Sequence, residues 1–114
     1  MELPDLKSLF SASTARTYPV MAKELARVVE EAVRSLPRWM VEHATEEEIQ
    51  ATRKIRFLSF TDDVTVSLTQ TRTGANINTR AGFVSAPRIG IWELGQNRRN
   101  LEELLAAIDQ ELTS

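Results

Sequence analysis

The residues best suited to chemistry crowd into one stretch, Arg88 to Asn100, which reads R-I-G-I-W-E-L-G-Q-N-R-R-N. Gly95-Gln96-Asn97 stands where a helix is expected to begin, and unpaired N–H groups with the positive end of the dipole favour an anion there. Asn97 is equally suited to the plain role of N-cap. Gly90 and Gly95 permit tight backbone, but no Walker lysine follows and no G-x-G-x-x-G occurs, so this is not a phosphate loop. Trp92 suits packing or, if exposed beside Arg88, the anchoring of a partner. The second point of interest is Asp62-Asp63. Neighbours in a strand face opposite ways, so the two do not form a catalytic dyad. One would accept hydrogen bonds or pair with an arginine while the other meets water. Arg88 paired with Glu93, Asp62 or Asp63 would fasten the loop to the sheet. Arg88, Trp92, Glu93, Asn97, Arg98, Asp62 and Asp63 are therefore the candidate ligand-binding residues, with no catalytic set among them.

Composition narrows the chemistry further. The 114 residues contain no cysteine and one histidine, His43, which excludes disulfides, thiolate chemistry and a histidine-rich metal site. No metal or cofactor is expected, and His43 reads as structural, facing the same way as Trp39 and Val41. Arg53 to Arg99 holds eight basic residues against three acids, although the whole chain carries a net charge of -2. That asymmetry suits an anion or a solvated sheet face. Aromatic residues do not alternate with the basic ones as a nucleic-acid stacking platform requires. No apolar run reaches the ~20 residues that span a bilayer, and M-E-L-P-D-L-K has no signal-peptide pattern, so a cytoplasmic location and no membrane partner are expected.

The elements that position these residues make one domain, 1–114, with residues 1–9 a loose lead-in. Phe10 to Arg16 is a candidate edge strand. Thr17 is expected to cap a helix with Pro19 in its first turn. Met21, Leu25, Val28, Val29, Ala32, Val33 and Leu36 form its apolar stripe, and Pro37 closes it. Strands are expected at Arg38–Ala44 and Glu48–Phe57, with Arg53 the one charge on the apolar side, reaching a carboxylate or snorkelling at an edge. A bulge is expected near Ser59. The strand through Val64, Val66 and Leu68 leads by a turn at Arg72-Thr73-Gly74 to its partner through Ile77, Thr79 and Ala81. Gly82 and Pro87 mark a bend or bulge in that partner. Leu101, Leu104, Leu105, Ile108 and Leu112 define a C-terminal helix from about Asn97. The order (β)αββββα predicts an α+β two-layer sandwich: an antiparallel sheet of four to five strands, two helices on one face and a polar open face.

With these pieces placed, the chain resembles the bacterial and plastid domain-of-unknown-function family 1499. Phe60-Thr61-Asp62-Asp63-Val64 matches its aromatic-x-D-D stretch. Arg88-Ile89-Gly90 with Ile91-Trp92-Glu93-Leu94-Gly95-Gln96-Asn97-Arg98-Arg99 matches its R-x-G and D-L-G-x-N-x-R elements. Two departures stand out. Glu93 replaces the family aspartate, and Val84-Ser85-Ala86-Pro87 lacks the family's arginine and one of its serines. The resemblance names a family without a chemistry.

Three functions follow as expectations. The first is a non-catalytic module binding a small anionic or amphipathic ligand, or a protein partner, through Arg88, Trp92, Glu93, Asn97 and Arg98. The second is an enzyme using Asp62, Asp63 or Glu93 for acid–base work with arginine stabilisation. The third is a structural subunit forming a homodimer through its sheet edge or open face.

Overall fold

A computed structural model describes residues 10–55, 60–88 and 95–114. The strands are β1 (Ala12–Tyr18), β2 (Trp39–Ala44), β3 (Glu48–Ile55), β4 (Phe60–Thr73) and β5 (Asn76–Pro87). The helices are α1 (Ala22–Ser35) and α2 (Gln96–Leu112). The strands form one antiparallel sheet in the order β1-β5-β4-β3-β2. Both helices cover the same face and bury Leu25, Val29, Val33, Leu104 and Ile108 against Ile49, Val64, Val66, Ala81 and Phe83. Each large side chain enclosed this way contributes about 1.5–3 kcal/mol. The α+β two-layer expectation holds, with five strands. Among the described residues, no helix is long and apolar enough to cross a membrane.

Several boundaries move, each for a local reason. Thr17 is not a helix cap; it lies in β1 opposite Arg80. Pro19 biases the residue before it towards extended backbone, so the strand runs on to Tyr18 and the helix waits until Ala22. Met21 becomes the N-cap and is half exposed, outside the stripe assigned to it. Its side chain makes no cap; the first free N–H, of Ala22, donates instead to Gln70 Oε1 of β4 at 2.7 Å. At the other end the helix stops at Ser35, with Leu36 as C-cap ahead of Pro37. A register shift between Val41 and His43 places His43 opposite Gln50, on the open face rather than beside Trp39. The turn between β4 and β5 is Gly74-Ala75 alone, with Gly74 at φ +62°, as a two-residue hairpin with glycine first requires. β5 has no bend at Gly82, which pairs in register with both Ser67 and Ala15. The inward parity therefore continues through Phe83 and Ser85. The bulge expected near Ser59 lies outside the described residues.

Tyr18, the chain's single tyrosine, closes β1 and is buried to 6% exposure. Burial raises its pKa above 10.0, the Asp109 charge adds to the rise, and Arg16 opposes it. Because the folded state holds this proton more tightly than the unfolded chain, the stability it contributes is complete below pH 10. That stability is lost as pH rises through the folded-state value. An absorbance titration at the phenolate band should give a midpoint above 10 that falls to the ordinary value in denaturant. Identical midpoints in both states would contradict the buried placement.

Candidate functional site

Alternation along β4 splits the two aspartates between the layers. Asp62 faces the helices and is wholly buried, whereas Asp63 lies on the open face. The sequence expectation that they could not share one site therefore agrees with the geometry.

Beneath α2, a polar cluster is built from the inner face of the helix's first turns. Asn100 donates its amide to Asp62 Oδ2 at 2.7 Å and to Ser85 Oγ at 3.2 Å. Ser85 donates to Asn97 Oδ1 at 2.6 Å, and Asn97 donates to the Phe10 carbonyl at 2.6 Å. Gln96 donates to Asn100 Oδ1 at 2.8 Å and accepts from Arg99. Asn97 is consequently not the N-cap. Gly95 takes that position in a left-handed conformation, φ +88°, and Asn97 turns inward at 2% exposure. Charge-bearing and amide groups enclosed together are stabilising only when satisfied, and this set fastens the start of α2 to β4 and β5.

On the open face, Arg88 grips Asp63 with two nitrogens, Nη2 to Oδ1 at 2.8 Å and Nε to Oδ1 at 3.1 Å. The Arg88 backbone N–H also donates to the Thr61 carbonyl, anchoring the end of β5. The hydrogen bonds to Asp63 and its charge raise the Arg88 pKa, with Glu42 adding to the field. Glu42 itself accepts from the Thr52 hydroxyl at 3.1 Å. These groups, with Gln50 and Thr65, line an open depression of about 410 Å³. Its side chains offer donors and acceptors of both charges, and its two carboxylates are already engaged.

The candidate residues thus separate. Asp63 and Arg88 meet on the open face; Asp62 and Asn97 lie buried in the cluster under α2. Arg98 is exposed on the outside of α2, paired with Glu102 at 3.3 Å. Trp92 and Glu93 lie outside the described residues. Arg53, one side of whose alternative was an inward carboxylate, meets Glu103 at 3.5 Å with its side chain 15% exposed. Sequence reasoning missed Asn100, Ser85 and Glu42. Asn100 had a readable signal: it stands three residues after Asn97 and one before Leu101, on the inward side of the helix. Ser85 follows once β5 runs straight through Gly82. Glu42 depends on the β2 register shift and had none. Among the described residues, no group of three or more metal-ligating side chains gathers.

Comparison with known proteins agrees with this architecture. Protein CV1439 from Chromobacterium violaceum superposes with a TM-score of 0.58 at 10% identity, covering 89% of this chain and 94% of its own. Protein MLL2253 from Mesorhizobium loti gives 0.55 at 12% identity, covering 90% and 96%. At such identities the likeness concerns the fold alone. No curated protein matches the chain. The family model described as "Protein of unknown function (DUF1499)" matches residues 8–108, nearly the whole chain. The F-x-D-D strand, the arginine that follows β5 and the glycine that caps α2 thus stand within a chain that belongs to the DUF1499 family.

Proposed function

We propose that this domain is a binding module whose ligand lies on the open sheet face, over the Asp63–Arg88 pair. The observation that carries this reading is a half-exposed, two-pronged ion pair in a concave polar surface, with Glu42 beside it. Exposed pairs contribute little to stability, so this geometry is better explained by recognition than by folding. The lining has two carboxylates and one guanidinium, so a purely anionic ligand is disfavoured. A small zwitterion or polar molecule fits better, giving an acceptor to Arg88 and a donor to Asp63 or Glu42. The same excess of carboxylate argues against a nucleic-acid backbone. An enzyme using these acids is the weaker reading, because Asp63 is held by Arg88 and Glu42 by Thr52 in a shallow surface rather than poised in a deep pocket.

Native mass spectrometry of freshly purified protein, with a denatured control, should reveal a retained small molecule. Arg88→Ala and Asp63→Ala should each lose it while keeping a cooperative unfolding transition. In parallel, titration with free amino acids should move amide resonances at Glu42, Thr52, Asp63 and Thr65. A bare protein whose resonances do not respond, or respond only elsewhere, would overturn the assignment.

A further inference from the structure

On the helical side of the sheet, the end of α1 and the middle of α2 frame a second open depression, of about 530 Å³, lined by Leu36, Pro37, Arg38, Arg53 and Glu103. It shares Leu36 and Glu103 with a neighbouring hollow of about 480 Å³ that continues between the helices past Ala106 and Ala107. Together they make a groove with a cationic end and an aliphatic run, and Glu111 at the far side.

Two irregularities coincide at the cationic end. Glu103 accepts the Trp39 indole N–H at 2.6 Å with one oxygen, while the other meets Arg53 Nη2 at only 3.5 Å. Arg53 is largely enclosed, yet its buried Nε has no acceptor among the described residues. A guanidinium carries five donors, and one this enclosed is seldom left with a single long contact. The second irregularity is Arg38, the one non-glycine residue with positive φ, +72°, among the described residues. It occupies the third position of the turn Leu36-Pro37-Arg38-Trp39, which the Trp39 N–H closes on the Leu36 carbonyl at 3.4 Å. With proline second, a positive φ at the third position normally selects glycine or asparagine. A strained arginine there, on the same depression as an under-coordinated one, points to a ligand for both.

We propose that this groove binds a small organic carboxylate with a short aliphatic tail. Its carboxylate is held between Arg38 and Arg53, and its tail lies along Leu36, Ala106 and Ala107. Two guanidinium groups face one carboxylate that is already engaged by Trp39, so an anionic head fits this end, whereas Glu111 repels it from the other. The site is separate from the Asp63–Arg88 face and stands or falls independently of it.

Octanoate serves as the probe. In a Trp92→Phe background Trp39 is the sole tryptophan, and its bond to Glu103 makes its fluorescence a local reporter. Octanoate should produce a saturable change, matched by calorimetry, and acetate should bind at least tenfold more weakly. Arg53→Met and Arg38→Gly should each lower octanoate affinity tenfold or more. Arg38→Gly should do so with an unchanged or raised Tm, which separates lost binding from lost folding. Asp63→Ala should leave octanoate affinity as it was. Three results would each overturn the proposal: no saturable response at millimolar octanoate, equal affinity for acetate or inorganic phosphate, or undiminished binding by the two arginine variants.

Discussion

Truncating Phe83 to alanine is expected to lower the free energy of unfolding by about 3–5 kcal/mol. Phe83 is wholly buried and central, paired with Val66 on one side and Thr14 on the other. Removing its ring would leave a cavity under both helices that the close-packed sheet cannot collapse to fill. Its neighbour supplies the internal control. Val84 points to the open face and is 48% exposed, so Val84→Ala should change stability by no more than about 0.5 kcal/mol. Urea unfolding of the two variants, compared at unchanged m-value, tests the register directly. Equal losses would mean that β5 does bend at Gly82 and that the inward parity beyond it is wrong.

The second large effect is expected at Asn100. Asn100→Ala removes the amide that reaches Asp62, Ser85 and Asn97 at once, and leaves a wholly buried carboxylate without that donor. Leaving a buried polar oxygen without its donor costs about 1–3 kcal/mol. Arg98→Ala, two residues earlier on the outer side of the same helix, should cost under about 1 kcal/mol because its pair with Glu102 is largely solvated. The Asp62→Ala/Asn100→Ala double variant should be less destabilised than the sum of the single variants, since each removes the same contact. A loss at Asn100 no greater than at Arg98 would show that the cluster does not fasten α2 to the sheet.

Both predictions concern residues whose importance was only partly visible in the chain. The sequence by itself determined the elements with strong periodicity. These are the Leu25-to-Val33 stripe of α1, the Val64-Val66-Leu68 alternation, the Leu101-to-Ile108 stripe of α2 and the glycine turn at Gly74. In each, apolar spacing leaves one geometry that buries the side chains. It also separated Asp62 from Asp63, because strand parity is a local property. Tertiary structure alone decided what each aspartate meets. It also decided that a long-range hydrogen bond from the Ala22 N–H to Gln70 replaces the expected Thr17 cap, that Gly82 continues a strand rather than bending it, and that β2 shifts register at Val41/His43. The physical reason is common to all of these. A glycine, a cap or a lone charge is compatible with several local conformations of similar free energy, and the choice is made by partners distant in the chain, whose positions exist only once the sheet has formed.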